Sequence, residues 1–434
     1  MIKCLRLYDY KSFEEADLEL GALTALVGSN ASGKSNLRDA LKFLHGVSRG
    51  YTLAEIFGGK TAFGAKVWDG VRGGVFGAPR HGQNRFDLSV TLEISTGNGS
   101  GVTEATYCVA VEAVGNEPRV VAEHLHCSGH PGYDTHPDKL PRQATDTKVV
   151  ETCLTSEDGR VKGNKMFAAH QPILSQVAEI AEGDSAPSAQ RLLKVANEVR
   201  RVLGGMRFLE LDPKQMRQAA VPGALTLSES GDNLSSVLDA ISKTPELKRA
   251  MASWIAELTP MDVTRVEFDP YPDGKVLAVL TEGDGRRVPL GSASDGTIRF
   301  LGILAAVFSP EAPSLLCFEE LETGFHPTRL ALVLDLLELA TKGKALQVMA
   351  TTHSPQLVRL LLPKHLEHTY VTYRVEGMQQ TKLKKLKDVP HFLEVLKESD
   401  AARLHESAWI EQTLFFTEGT PRSFELDPKE GTRS

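Results

Sequence analysis

The chain has 434 residues, of which 41% are hydrophobic and 24% charged, and a formal net charge of −7. That composition fits a soluble globular protein of two or three structural units, or one large α/β domain carrying an insertion, and excludes a disordered chain. The acidic balance lends no support to broad nucleic-acid binding, and the five cysteines, with no CxxC spacing, read as reduced thiols.

The longest unbroken apolar stretches, such as Leu301 to Phe308, are too short to cross a bilayer. The opening "MIKCLRLYDYKSF" holds no apolar core of signal-peptide length. A cytoplasmic protein without a membrane partner is expected.

In chain order, residues 1 to 20 read as two strands around a turn. Ala22 to Val27 is a short apolar run of the buried-strand kind. A helix follows, with Leu37, Ala40, Leu41 and Leu44 on one stripe. The glycine-rich residues 50 to 83 read as an irregular, mobile excursion. From Arg85 to about Cys127 the alternation is strand-like. "SGHPGYDTHPDKLPRQ" reads as turns and a boundary, and Lys148 to Val161 as a hairpin around "SEDG". Residues 171 to 204 read as helix broken at "EGDSAPS", and 233 to 257 as helix again.

Beyond that, Ile298, Leu301, Ala305 and Phe308 share a helical face. Ser314 to Phe318 and Ala345 to Ala350 are continuous apolar runs, the mark of strands buried on both sides. The helix between them starts at Pro327 and ends near Gly343. Strand, helix, strand of these lengths is a βαβ unit and implies a parallel sheet. There is no heptad run long enough for a coiled-coil arm. The lysines of "TKLKKLKD" read as a solvated face or, less simply, a nucleic-acid contact.

"GSNASGKS", Gly28 to Ser35, fits G-x-x-x-x-G-K-[ST] between a predicted strand and a predicted helix. Glycines let backbone N–H groups turn toward phosphate oxygens, and the helix start adds positive potential. Lys34 would reach the outer phosphates of a nucleotide and Ser35 would offer its hydroxyl to Mg²⁺. Gly28, Ser29, Asn30, Ala31, Ser32, Gly33 and Asn36 complete the cradle. "SLLCFEELETGFHP" puts Glu319 and Glu320 at the end of an apolar strand. Either Glu319 holds Mg²⁺ and Glu320 polarises the attacking water, or the two are solvated loop acids. His353, in "ATTHSP", ends the next strand and either contacts the γ-phosphate or water, or is structural. In "GSASDGTIRF", Ser294, Gly296 and Thr297 offer a phosphate-binding helix start or simply a good cap.

These four segments, in this order, resemble an ABC-type ATPase head of the RecF/SMC/OLD group, and more narrowly the short RecF-like ATPases without coiled-coil arms. The likeness also takes in "LYDYKSFEEADLELGALTALVGSN" and "SGDNLSSVLDAI" and spans most of the chain. It implies an α/β P-loop NTPase, a two-lobed head with a mixed, largely helical insertion. The expected units are residues 1–135 with the phosphate loop, 136–260 as the insertion, and 261–434 with signature, Walker B acids and switch histidine. It implies ATP and Mg²⁺ as ligands, Lys11 near the phosphate or sugar, and an ATP-dependent homodimer. In that dimer Ser294 and Gly296 reach the γ-phosphate bound by the second copy.

The sequence departs from the pattern at Glu319, where Asp is usual, at Leu321, where Pro is usual, and at Ala293, where Leu is commoner. A Q-loop glutamine is not evident; Gln83 is the candidate. Only a short basic-to-acidic tail is expected after Pro355, without an Asp-x-Asp cluster, so no nuclease activity is expected. His124, His126, Cys127, His130 and His136 form a competing cluster, but regular ligand spacing is missing. The expected function is an ATP-driven dimerising switch in DNA repair or DNA metabolism. The alternatives are an ATPase that gates a separate effector in phage defence, and a nucleotide-binding scaffold that does not hydrolyse.

Overall fold

The computed structural model describes residues 1–62, 64–95, 101–114, 117–135, 148–157, 160–181, 187–258, 263–343, 346–374, 380–398, 410, 413 and 414. The chain opens with β1 (Ile2–Tyr10) and β2 (Phe13–Glu19), an antiparallel pair. β3 (Leu23–Val27) is buried at every position, and α1 (Lys34–Ser48) buries the expected leucine stripe. The next stretch is not the irregular excursion expected. It forms α2 (Leu53–Gly58) and the hairpin β4 (Lys60–Ala62) and β5 (Ala65–Trp68). Thr52 and Glu55 make a reciprocal capping box at the start of α2, and Trp68 Nε1 donates to Ile56 O at 3.0 Å.

β6 (Arg85–Ser95), β7 (Val102–Val114) and β8 (Glu117–Cys127) are the expected strands, and they pair antiparallel. Part of the expected boundary is a strand instead: β9 (Gly132–Asp134) pairs with β8 and with β10 (Val149–Thr155), which pairs with β11 (Val161–Ala168). Together with β1 and β2 these make an eight-stranded sheet in the order β11-β10-β9-β8-β7-β6-β1-β2. α3 (Ile173–Ala181) and α4 (Pro187–Gly204) follow, as predicted.

Glu123 ties this sheet to α3. Its buried carboxylate accepts from Tyr107 Oη, Tyr133 Oη, Ile173 N and Leu174 N at 2.7–3.1 Å. Burial outweighs these donors and pushes its pKa up to about 7. The proton is thus held more tightly in the folded chain than in the unfolded one. Glu123 should therefore cost roughly 3 kcal/mol of stability as pH rises from about 4.5 to about 7, and no more above that. Urea melts of the wild type and Glu123→Gln across this range check it: the variant, though weaker overall, should lack this slope.

The second half of the chain builds the sheet that matters for function. Its elements are β12 (Met206–Leu209), α5 (Pro213–Met216), α6 (Leu234–Ser242) and α7 (Pro245–Leu258). A small antiparallel sheet follows, of β13 (Val263–Tyr271), β14 (Lys275–Glu282) and β15 (Arg287–Pro289). Then come α8 (Asp295–Val307), β16 (Leu315–Phe318), α9 (Pro327–Thr341) and β17 (Gln347–Thr352). The chain after Pro355 is not a tail. It forms α10 (Pro355–His365), β18 (Thr369–Arg374), β19 (Thr381–Lys385) and α11 (Phe392–Glu398). The lysine cluster lies on β19, an edge strand, where lysines discourage further strand pairing; Lys385 Nζ bonds Glu19 at 2.6 Å.

The six-stranded sheet runs β12-β16-β17-β3-β18-β19, parallel except for β19. Leu315, Cys317 and Met349 face one hydrophobic core, and Leu316, Phe318, Val348 and Ala350 face the other. Both faces are covered, which explains the continuous apolar runs. The sheet draws β3 from the first expected unit, β12 from the second and β16 and β17 from the third. No helix among the described residues is long and apolar enough to cross a membrane.

Candidate functional site

β3, β17 and β16 are neighbours in parallel register, with Val27 opposite Thr352 and Ala350 opposite Phe318. Their C-terminal ends therefore lie along one edge. The loop Gly28 to Gly33 leaves β3 there, Glu319 and Glu320 leave β16, and His353 leaves β17. A crevice beyond the carboxyl ends of parallel strands is where such sheets bind ligands.

The loop is closely fitted. Gly33 has φ +110°, and a Cβ there would lie 2.7 Å from Thr381 Cγ2, so only glycine is accommodated. Lys34 is buried and donates from Nζ to Gly28 O at 2.6 Å and Ser29 O at 2.8 Å. Its charge thus sits inside the loop. Ser32 Oγ meets Thr372 Oγ1 at 2.6 Å, and Asn36 Nδ2 donates to Ser12 Oγ at 2.7 Å.

Ser35 Oγ donates to Glu319 Oε1 at 2.7 Å, joining loop and acid strand directly. Glu319 Oε2 is buried without a hydrogen-bond partner among the described residues, although Arg38 Nη1 stands 3.2 Å away. A hydroxyl and a carboxylate side by side, the second carboxylate oxygen taken by no hydrogen bond though ion-paired with Arg38, is an oxygen donor set that suits Mg²⁺. Arg38 bridges two acids here, for it pairs with Glu229 as well as with Glu319.

Glu320 has φ 48°, a left-handed conformation that costs about 1–2 kcal/mol for a residue with a Cβ. Glu320 N donates to Thr351 Oγ1 at 3.1 Å, and Thr323 Oγ1 donates to Glu320 Oε2 at 3.2 Å. Its carboxylate is half exposed, with His353 Nδ1 3.7 Å from Oε1. Glu322 went unremarked in the sequence. Its Oε1 accepts from Thr352 Oγ1 at 2.8 Å and His353 N at 3.1 Å, pinning the backbone that carries the histidine. Glu322→Ala should lower any turnover by about tenfold, with nucleotide affinity unchanged, as the loss of one orienting charged hydrogen bond of about 1.5 kcal/mol. Single-turnover kinetics beside equilibrium nucleotide binding check it.

A cavity of about 1030 Å³ lies over this edge. Its walls include Asn30 to Asn36, Lys11, Glu319 and Glu320. Lys11 and Arg72 both pair with the fully buried Asp39 of α1. Arg72, Arg80 and Arg374 add positive charge to the walls, which sequence spacing did not reveal. Gln83 is exposed and is not part of the wall, so the structure does not bring it to the loop.

Ser294 and Gly296 lie elsewhere. Ser294 Oγ caps α8 by accepting from Thr297 N at 3.2 Å, and neither residue lines the cavity. A Cβ at Gly296 would lie 2.8 Å from Gly324 O, so the start of α8 packs on the loop that follows the acids. Of the competing cluster, His124 and His126 share the outer face of β8 while Cys127 points into the core. His136 lies outside the described residues. Among the described residues no group of three or more His, Cys, Asp or Glu is placed to hold a metal.

A family model described as "AAA domain, putative AbiEii toxin, Type IV TA system" matches residues 23–93 and 189–359. Among solved structures, the chain is similar to the SMC head domain from Thermotoga maritima, with 12% identity and a TM-score of 0.41 over 88% of this chain and 98% of that one. It is similar to the SmcHead bound to the C-winged helix domain of ScpA, with 15% identity and a TM-score of 0.42 over 89% and 98%. It is also similar to the Smc head domain with an extended coiled coil bound to the C-terminal domain of ScpA, derived from Pyrococcus furiosus, with 12% identity and a TM-score of 0.41 over 91% and 99%. No curated protein matches the chain.

Proposed function

Because the chain belongs to the family described as AAA domain, putative AbiEii toxin, Type IV TA system, we propose that it binds ATP with Mg²⁺ in the loop-lined cavity and hydrolyses it. The observation that carries this reading is the 2.7 Å bond from Ser35 to Glu319, which joins the phosphate loop to the acid strand. In this reading Lys34 and the loop N–H groups bind the β- and γ-phosphates, and Lys11 lies farther along the phosphate or at the sugar. Ser35 and Glu319 hold Mg²⁺, which when bound neutralises phosphate charge. Glu320 accepts a proton from the attacking water, and His353 orients that water or the γ-phosphate. The work of the site is positioning and charge stabilisation.

The finer reading is a switch that closes as a dimer over two nucleotides. Ser294 and Gly296 lie away from the chain's own cavity, at an α8 start packed against the acid loop. That arrangement suits contact with a nucleotide held by a second copy. The family's description names a toxin of a toxin–antitoxin system. On that description we favour the gating of a separate effector over a role in DNA repair.

Phosphate release by the purified chain tests the core of the proposal. Mg²⁺-dependent release that Ser35→Ala abolishes supports it. Tight ATP binding with no release, with or without an effector, would make the chain a nucleotide-bound scaffold. A salt-sensitive DNA affinity that rises with ATP would restore the DNA reading.

A further inference from the structure

Phe76 is 70% exposed, more than any other large hydrophobic side chain among the described residues. It is not on an open face, for it lines the same cavity as the phosphate loop. Its loop is tied down on both sides. Before it, Arg72 Nε bonds Asp39 at 3.1 Å and Arg72 O accepts from Lys11 Nζ at 2.8 Å. After it, Ala78 O accepts from Lys11 N at 2.8 Å, Arg80 N donates to Asp9 O at 2.7 Å, and Arg80 Nε pairs with Asp9 at 2.6 Å. Between the ties the chain is Gly73, Gly74, Val75, Phe76 and Gly77, with φ of +83° and +60° at the first two glycines. A fixed loop thus holds one bare aromatic ring at the cavity, at a cost in exposed apolar area that none of the described residues recovers.

The cavity has a direction. Glu319, Glu320 and Thr351 mark the end where the outer phosphate would react, and Lys34 and Ser35 lie beside them. From Ser35 the ties lead on through α1: Asp39 of that helix pairs with Lys11, and Lys11 Nζ donates at 2.8 Å to Arg72 O, at the base of the Phe76 loop. A nucleoside triphosphate with its γ-phosphate at the acids would carry its base to that loop.

We propose that Phe76 is the platform on which the base of the bound nucleotide stacks, so that it sets the preference for a nucleotide over bare triphosphate. This rests on reading the cavity as the nucleotide site. An aromatic face accepts any base, because every base has a π-face. Phe76 therefore supplies affinity and little choice between adenine and guanine.

Calorimetric titration with Mg-ATP, Mg-GTP and Mg-tripolyphosphate tests the assignment. In the wild type ATP should bind more tightly than tripolyphosphate. In Phe76→Ala the ATP and GTP affinities should each fall by about tenfold, some 1.4 kcal/mol, with tripolyphosphate unchanged. Phe76→Trp should keep the wild-type ATP affinity. The exposed position makes loss of folding a poor explanation, and an unchanged melting temperature would exclude it. Equal losses for ATP and tripolyphosphate, or no loss for either, would overturn the proposal while leaving the phosphate site standing. Unchanged nucleotide affinity with loss of ATP-dependent dimers would instead assign Phe76 to a subunit contact. If Lys34→Ala leaves tripolyphosphate binding as it was, the nucleotide site itself is misplaced and the base platform falls with it.

Discussion

Glu320→Gln is expected to slow ATP turnover by about a thousandfold, the middle of the range that a positioned general base contributes, while leaving ATP affinity within about twofold. The substitution keeps the shape of the side chain and removes its capacity to take a proton. Several features favour Glu320 over Glu319 as the proposed base. The Glu319 carboxylate is engaged with Ser35 and flanked by Arg38. The Glu320 carboxylate is half exposed and, among the described residues, accepts a hydrogen bond from Thr323 alone, with His353 3.7 Å away. Its φ of 48° is a strained conformation of the kind that clusters at active sites. If closure needs ATP and opening needs hydrolysis, the variant should accumulate as a dimer when ATP is added. Light scattering with and without ATP measures this. Full turnover in the variant would move the base to Glu322 or His353, and a loss confined to ATP affinity would make Glu320 a binding residue only.

The sequence announced the parts of the fold whose burial is symmetric. β3, β16 and β17 stood out because both faces of their sheet are covered, leaving uninterrupted runs such as "LTALV" and "LLCF". β18 belongs to the same sheet, next to β3, but reads "TYVTYR". Its buried threonines interrupt the apolar run and so hide the strand: Thr369 Oγ1 donates to His365 O at 2.8 Å, and Thr372 Oγ1 meets Ser32 Oγ of the phosphate loop at 2.6 Å. β12 is only four residues long and sits at the edge. α2 was legible in principle from Thr52 and Glu55, but the glycines after it dominate the composition of that stretch. The same split holds for the site. Loop, acids and histidine follow from local patterns at strand ends. Asp39 joins Lys11 and Arg72 across 28 and 33 positions, and Glu322 matters through its burial beneath His353. Neither kind of relation leaves a spacing to read.

Lys34→Ala should weaken ATP binding by about a hundredfold, as expected from losing roughly 3 kcal/mol of charge-assisted contact to the outer phosphates. Two consequences of the geometry separate this from a general loosening of the loop. Lys34 Nζ bonds the carbonyls of Gly28 and Ser29, so its removal leaves both acceptors, that of Gly28 buried, without that donor and lowers the melting temperature modestly. The loop retains other ties, from Ser32 to Thr372 and from Asn36 to Ser12, so it should not collapse. Adenosine and AMP, which lack the outer phosphates, should bind the variant and the wild type alike, and only ATP and ADP should discriminate between them. Added ATP should then leave the variant monomeric under conditions that trap Glu320→Gln as a dimer. A variant that dimerises normally would show that assembly does not depend on an occupied phosphate loop. Ser294 would then keep its observed role as the cap of α8, and closure over a shared nucleotide would not be the mechanism of this protein.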